Sequence, residues 1–348
     1  MSPGDKAALR LAIGLGLAAL VAYGLALTAP FAVCVMSVLV LSRPGPPLPL
    51  VKGLIVALLF AVLVAAGIVM VPLLEHYAFA AVLLTAVVLY VTFFTGLVSG
   101  NPLTTVLVVS FTLIPVVGVA EQALVGVLSV SLAAGVAVGV LVSALSYALF
   151  PDPPALATES ATAIRPAPRE AARIALRATL IVMPVFVLAL SNPSFYMAAV
   201  MKTVALAQQA GETDARSAGS ELVGSTLAGA VIGAAVWYGL SMWASLWMLT
   251  LWLMAAGLWA GSAMFGSRST TMRPSFWGNA LITALLLLGP AIEDSGSGKG
   301  FLEGTIMRTC LFVGVALYAW AMIRLLERRR FERPGGVLAL HPHQEELK

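Results

Sequence analysis

The stretch from Ser191 to Gln209, SNPSFYMAAVMKTVALAQQ, places a lysine in a segment that is otherwise apolar enough for a lipid bilayer. Lys202 lies nine residues after Pro193. On a helix this spacing corresponds to about 13 Å, which is close to the middle of a membrane's hydrocarbon core. A charge at that depth costs about 2.5–3.5 kcal/mol on insertion scales, so such residues usually face a cavity or a partner.

The apolar segments offer Lys202 no counter-charge in the sequence. No aspartate or glutamate lies clearly at midplane depth, and Glu221 stands at the start of its span. A cation without a protein partner favours an anionic ligand, so we predict that Lys202 helps to bind an organic anion. Three structural alternatives stay open: snorkelling along a bent helix, pairing with helix carbonyls, or a segment too short to span the membrane.

Three further residues are predicted to take part in substrate binding. Asn192, just before Pro193, adds an uncharged hydrogen-bonding group to the Lys202 segment. Trp252 and Trp259 are seven residues apart and therefore share a helix face, where an aromatic ligand could stack. Core packing or contact with lipid is the ordinary alternative for both tryptophans.

Two groups of charged residues are candidates for steering and for coupling. Arg10, Arg173 and Arg177 stand at the cytoplasmic mouths of equivalent helices and are predicted to funnel anions inward, although each also fits plain anchoring. Proton-coupled carriers usually hold a titratable acid in their pathway. The candidates here lie toward the outer face: Glu121, Glu293 and Asp294.

Several function classes are excluded or disfavoured by the sequence. The chain has no GxxxxGK[ST] phosphate loop, which excludes ATP hydrolysis, and no catalytic constellation, so we expect no enzyme activity. No metal-ligand spacing and no cofactor motif occur, so we expect neither a metal nor a cofactor. The net charge of +4 comes from short clusters between apolar runs, which argues against nucleic acid as a partner.

The elements that must position these residues are membrane helices. The 348 residues are 60% hydrophobic and only 10% charged, with a mean hydropathy of +0.98. Soluble domains run to about 45–50% apolar and about 25% charged residues, so the sequence predicts an all-α, polytopic membrane protein. Twelve segments are long or apolar enough: 9–28, 30–42, 50–73, 77–99, 102–119, 123–150, 172–191, 194–209, 219–240, 243–265, 274–291 and 304–325.

Lysine and arginine orient these spans. With the N-terminus inside, seventeen of the twenty basic residues fall on the cytoplasmic side, and the exceptions are Lys202, Lys299 and Arg308. We therefore predict a multi-pass membrane protein with both termini in the cytoplasm.

The chain also repeats its own plan. Arg10 precedes Pro30 by twenty residues, and Arg173 precedes Pro193 by the same interval. The spacing predicts two parallel six-helix repeats, related by an axis along the membrane normal, with a site at their interface. The predicted divisions are a first repeat at 1–150, a cytoplasmic linker at 151–170, a second repeat at 171–325 and a cytoplasmic tail at 326–348.

The layout resembles a known transporter superfamily. The opening ALRLAIGLGLAALVAYGLALTAPFAV, with Arg10 and Pro30, returns as ARIALRATLIVMPVFVLALSNPSFYMAAVM, with Arg173 and Pro193. This plan is similar to that of the fusaric acid resistance and aromatic acid exporter superfamily, in its short, membrane-only bacterial members of the DUF2955 type. The resemblance implies export of aromatic carboxylates or similar weak-acid toxicants, together with a periplasmic adaptor of the membrane-fusion type.

The sequence leaves two other functions open beside that of a secondary exporter of organic anions. One is a passive anion channel of the same fold, and the other is a membrane assembly subunit with no transport of its own. A major facilitator carrier is disfavoured because SRPGPPLPLVKG lacks the basic loop motif expected after its second span. A homodimer is compatible with the sequence, which predicts no particular oligomeric state.

Overall fold

The structure is a computed structural model that describes residues 1–27, 29–42, 47, 49–100, 104–151, 166–212, 215–296 and 301–331. These residues form α-helices joined by short connections, and the described part of the chain contains no strand. The helices are α1 (Pro3–Gly24), α2 (Pro30–Leu41), α3 (Leu50–Ala66), α4 (Met70–His76), α5 (Ala78–Ser99), α6 (Thr104–Ala120), α7 (Gln122–Leu149), α8 (Pro168–Ser191), α9 (Pro193–Glu212), α10 (Ala215–Met242), α11 (Leu246–Met264), α12 (Pro274–Gly296) and α13 (Phe301–Phe331).

The described helices are apolar enough to form a bundle of membrane-spanning helices. Among the described residues, nine helical segments are long and apolar enough to cross a membrane, with α3 and α4 counted as one segment from Leu50 to His76. Two shorter apolar helices, Pro30–Leu41 and Leu107–Ala120, accompany them. The predicted all-α membrane class is confirmed.

Several helices extend beyond the apolar segments seen in the sequence. Helix α1 begins at Pro3 because Ser2 and Asp5 form a capping box, in which each side chain accepts a hydrogen bond from the other's backbone N–H. Helix α8 begins at Pro168, inside the predicted linker, because proline is favoured in the first turn of a helix. Hydropathy marks the apolar part of a helix and misses such polar ends.

The third predicted span is interrupted rather than continuous. A 3₁₀ turn from Gly67 to Val69 separates α3 from α4. Ser110 of α6 holds this turn: its Oγ accepts a hydrogen bond from Gly67 N at 3.2 Å and lies 2.8 Å from Leu63 O, to which it donates. The side chain thereby satisfies backbone groups that the break in the helix would leave unpaired.

The helices pack in a pattern that links the two ends of the chain. Helix α1 packs against α11, and α8 packs against α5. Helix α2 packs against α12, and α6 packs against α9. Helix α12 is the most buried of the nine long segments and also contacts α9, α10, α11 and α13. Side chains on the inner face of α12 are therefore shielded from the surroundings by protein.

Glycines four residues apart lie at two of the helix contacts. Gly135 and Gly139 of α7 lie against α2, and Gly229 and Gly233 of α10 lie against α12. A Cβ placed at Gly229 would lie 2.5 Å from Ala280 O and from Thr283 Cβ, which is too close for any other residue without movement. This contact draws α10 and α12 together beside Lys202.

Some predicted features lie outside the described residues. They include most of the linker (152–165) and the tail from residue 332 onward. The side chain of Asp294 also lies outside the described part, although its backbone belongs to α12.

Candidate functional site

A cluster of polar side chains lies in the apolar interior where α9, α10 and α12 meet. Its members are Lys202 of α9, Ser225 of α10, and Asn279 and Thr283 of α12, and we call them the Lys202 cluster. Three of them are fully buried, and Asn279 keeps only 5% of its surface exposed. Buried polar groups of this kind must satisfy one another because water is excluded.

Lys202 is the central residue of the cluster. It is the tenth of twenty residues in α9 and has no exposed surface. Its Nζ donates hydrogen bonds to Asn279 Oδ1 at 3.1 Å and to Thr283 Oγ1 at 2.6 Å. Full burial rules out snorkelling, and both partners are side chains of α12 rather than helix carbonyls.

The remaining hydrogen bonds fix the direction of the network. Asn279 Nδ2 donates to Ser225 Oγ at 2.7 Å, and Ser225 Oγ donates to Leu222 O at 3.1 Å. Thr283 Oγ1 donates to Asn279 O at 2.6 Å, so its lone pair faces the lysine. Each hydroxyl donates to its own helix and therefore presents an acceptor to the neighbouring element.

Charge is the one property of Lys202 that the cluster leaves uncompensated. An ammonium group has three N–H donors, and the two acceptors described here are both uncharged. Within the described residues Lys202 makes no ion pair, and Glu221 is the only other charged residue that is buried to a similar degree. The arrangement can therefore offer a positive charge and a further donor to an anion that reaches it.

Glu221 and Arg273 lie at one end of the cluster. Glu221 precedes Ser225 by one turn of α10, and its Oε1 lies 3.4 Å from Nε of Arg273. Arg273 directly precedes α12, one turn and a half before Asn279. Phe276, which packs against Gly224, lies between the ion pair and the cluster along α12. These groups cover the Lys202 cluster on that side.

The other residues predicted to bind substrate lie elsewhere. Asn192 ends α8 and is exposed, and its Oδ1 accepts a hydrogen bond from Phe195 N at 3.3 Å. Trp252 lies against Gly239 of α10, whereas Trp259 contacts Trp277 and Arg268 at the other end of α11. The two tryptophans therefore do not form one stacking surface, and neither contacts Lys202.

The three arginines predicted to form a funnel are placed on different parts of the bundle. Arg10 lies on α1 with its Cζ 5.0 Å from the ring centroid of Tyr147. Arg173 is exposed and Arg177 half-buried on α8, which packs against α5, α6, α9 and α13. Their role as a funnel stays a prediction.

The acids predicted to couple protons are exposed where they are described. Glu121 caps the start of α7 without a hydrogen bond from its side chain to that helix, and Glu293 lies near the end of α12. Asp294 has no described side chain. The structure instead buries Glu221, which the sequence suggested lay only at the start of its span.

Sequence reasoning missed the partners of Lys202. Asn279 and Thr283 are four residues apart and interrupt the apolar run of α12, so they share one helix face. Polar residues at this spacing inside an otherwise apolar helix are a signal that could have found them. Ser225 carries no such signal, because serine is common at helix contacts in membranes.

Comparison with known proteins gives a family match for part of the chain. Residues 7–146 match a family described as a protein of unknown function (DUF2955). The match covers α1 to most of α7, which is less than half of the chain, and the Lys202 cluster lies outside it. No curated protein and no solved structure matches the chain. The predicted likeness to the DUF2955 type is thus found for the first half.

Proposed function

We propose that the chain is a secondary exporter that carries organic anions across the bacterial inner membrane, with aromatic carboxylic acids as its substrate class. The observation that carries the proposal is the fully buried Lys202, whose described partners are an amide oxygen and a hydroxyl oxygen. The likeness of the sequence to aromatic acid exporters supplies the substrate class.

The physical argument concerns the cost of burying charge. Breaking or omitting one partner of a buried pair leaves an uncompensated charge, which is strongly destabilising. Hydrogen bonds to uncharged acceptors offset part of the free-energy cost of burying the ammonium group. A bound anion offsets more of that cost because it also balances the charge. A carboxylate bound between Lys202, Asn279 and Thr283 would accept a hydrogen bond from the ammonium group. It would also accept hydrogen bonds from Asn279 Nδ2 and Thr283 Oγ1 if these groups give up their present acceptors.

The architecture supports alternating access between two halves. We assign twelve spans to two parallel six-helix repeats, α1 to α7 and α8 to α13, in which α3 and α4 together form one span. In favour of this assignment, contacts occur in corresponding pairs: α1 with α11 and α8 with α5, and α2 with α12 and α6 with α9. Transport would then be a rocking of one half against the other about the buried site.

The two proposed halves share the arrangement of their helices but differ in the side chain at the position of Lys202. Lys202 lies nine residues after Pro193, and the residue nine positions after Pro30 is Leu39. The first half therefore supplies an apolar side chain where the second supplies the cation. The substrate site in this proposal belongs to the second half and to the faces of α2 and α6 that pack against it.

Topology and partners complete the proposal. The skew of basic residues supports cytoplasmic termini, so the Glu221–Arg273 pair faces the cytoplasm and covers the site on the side from which substrate is taken up. Reporter fusions after residues 151 and 331 should both report the cytoplasm. A periplasmic adaptor of the membrane-fusion type is also proposed, on the likeness to exporters alone, and co-purification from membranes tests it.

The decisive experiment measures transport and folding on the same variants. Inside-out vesicles should take up benzoate in a manner that depends on a proton gradient. Lys202→Met should abolish this uptake while thermal unfolding in detergent is unchanged or shifts upward, because an apolar replacement removes a buried charge. Lys52→Met makes the same change at an exposed lysine and should transport normally.

Other outcomes would replace the proposal. Ohmic current in planar bilayers without concentrative uptake would indicate a passive anion channel. Normal toxicant resistance in Lys202→Met cells, together with a weakened complex, would indicate an assembly subunit. Vesicles in which Lys202→Met transports benzoate as the unaltered protein does would remove Lys202 from the mechanism.

A further inference from the structure

A second cationic group with unused donors lies at the junction of α11 and α12. The Cζ of Arg268 lies 4.5 Å from the ring centroid of Trp259 and 5.0 Å from that of Trp277. The two indole rings are themselves 4.9 Å apart and meet at 87°. The guanidinium therefore occupies the corner between two perpendicular aromatic walls, and we call these three residues the Arg268 corner.

The edge of this guanidinium is not used by the protein. Within the described residues, the guanidinium of Arg268 contacts the two indole rings and makes no hydrogen bond or ion pair. Arginine presents five N–H donors in a planar fork that matches a carboxylate. These donors are therefore available to a ligand.

A second donor in the corner also lacks an acceptor. Nε1 of Trp277 is buried and has no hydrogen-bond partner among the described residues. Buried indole N–H groups usually find one, so this donor calls for an explanation. The guanidinium beside aromatic surface suits a ligand with a carboxylate on a flat ring, and Nε1–H of Trp277 would reach that carboxylate once a side chain of the corner moves.

We infer that the Arg268 corner is a binding site for an aromatic carboxylate, separate from the Lys202 cluster. The carboxylate would accept hydrogen bonds from Arg268, and the ring of the ligand would pack against Trp259, which is 46% exposed. The charge of Arg268 selects anions, and the indole walls select aromatic anions over small aliphatic ones.

The position of the corner gives it a place in the proposed transport path. Phe276 packs against Trp277, with ring centroids 5.1 Å apart, and also against Gly224, the neighbour of Ser225. A single aromatic side chain thus lies between the Arg268 corner and the Lys202 cluster. The loop that carries Arg268 packs against the first turn of α1, so the corner lies at the bundle end proposed to face the cytoplasm.

The test measures binding rather than transport, so it does not depend on the proposed function. Purified Lys202→Met protein in phosphatidylcholine nanodiscs should still bind benzoate, as followed by calorimetry. Arg268→Gln in that background should weaken binding by about tenfold or more, which corresponds to loss of one charge-assisted hydrogen bond. Trp277→Phe keeps the ring but removes Nε1–H and should weaken it about threefold to tenfold.

A matched control separates this site from ordinary stacking. Arg324 also lies over one indole, with its Cζ 5.3 Å from the ring centroid of Trp320, but it has no second ring wall. Arg324→Gln should leave benzoate binding unchanged. Acetate, which has the charge without the ring, and benzyl alcohol, which has the ring without the charge, should both bind at least about tenfold more weakly than benzoate.

Three results would overturn the inference. The first is equal benzoate binding by the Lys202→Met protein with and without Arg268→Gln. The second is equal affinity for acetate and benzoate, which would indicate a site for any small anion. The third is loss of benzoate binding when phosphatidylglycerol is added to the nanodiscs, which would indicate a site for lipid phosphate.

Discussion

Glu221 and Arg273 form an ion pair in which the glutamate is buried and the arginine is partly exposed to solvent. The side chain of Glu221 is 5% exposed and that of Arg273 is 43% exposed, with 3.4 Å between Oε1 and Nε. Removing the two partners should therefore have unequal effects. Arg273→Gln leaves a buried carboxylate whose negative charge is less well balanced. Glu221→Gln instead leaves a guanidinium that water can solvate.

We expect Arg273→Gln to lower the free energy of unfolding by about 1–3 kcal/mol, and Glu221→Gln to lower it less. Thermal or detergent-induced unfolding of the purified variants measures both effects. The double variant completes a cycle that isolates the coupling between the two side chains. The opposite order of stabilities would mean that groups other than Arg273 balance the charge of Glu221.

The hydroxyl of Thr283 should contribute more to the free energy of unfolding when Lys202 is present than when it is replaced. Thr283→Val keeps the shape of the side chain but removes the acceptor 2.6 Å from Nζ. In the unaltered protein this change should cost about 1–3 kcal/mol, because a buried ammonium loses a partner. In a Lys202→Met background the cost should fall to below about 1 kcal/mol.

Thr226→Val is the matched control for that cycle. Thr226 is equally buried, but its hydroxyl donates to Leu222 O of its own helix at 2.8 Å. Its replacement should cost the same with and without Lys202→Met. Equal costs for Thr283→Val in both backgrounds would show that the hydrogen bond to Lys202 has no net effect on stability.

Gly229 is predicted to be essential for the geometry of the Lys202 cluster, whereas Gly233 is not. A Cβ at position 229 would meet Ala280 O and Thr283 Cβ at 2.5 Å, but a Cβ at position 233 would lie 3.4 Å or more from its neighbours. Gly229→Ala should therefore push α12 away from α10, lower the melting temperature and reduce benzoate uptake. Gly233→Ala should leave the melting temperature unchanged or raise it. Equal behaviour of the two variants would contradict the close approach of α10 and α12.

Ser110 is predicted to hold the interruption between α3 and α4. Its hydroxyl accepts from Gly67 N and donates to Leu63 O and Val64 O, so Ser110→Ala leaves three backbone groups without this partner. We expect a loss of about 1–3 kcal/mol in stability. Thr112→Val on the same helix removes a buried hydroxyl that donates only within α6, to Val108 O and Val109 O, and should cost less. Hydrogen exchange at Gly67 should rise in Ser110→Ala alone.

Much of the fold could be predicted because the membrane restricts what an apolar sequence can do. In a bilayer an apolar run of sufficient length must form a helix, so the positions of most helices follow from hydropathy. The position of Lys202 in the middle of a helix also follows, because Pro193 marks the start of α9. The helix contacts at Gly229 and Gly233 follow from the spacing of small residues.

The partners within the site could not be predicted, because they depend on how each helix is rotated and which neighbour it meets. The sequence places Asn279 on a face of α12 but does not say that this face meets α9 and α10. It likewise grouped Trp259 with Trp252, whereas Trp259 packs against Trp277 of the next helix. The break at Gly67 was missed because its stabilising hydroxyl comes from residue 110, far away in sequence.

In the proposed repeat Lys202 corresponds to Leu39, and this correspondence has a consequence for the stoichiometry of the proposed exporter. A carrier with two repeats and a binding group in each could bind two substrate molecules at once, or bind one in each half alternately. Among the described residues Lys202 is the one fully buried lysine or arginine, so in this proposal one monovalent anion balances it in each cycle. Turnover would accordingly carry one anion per molecule, and reversal-potential measurements on reconstituted vesicles can determine how many protons are coupled to it.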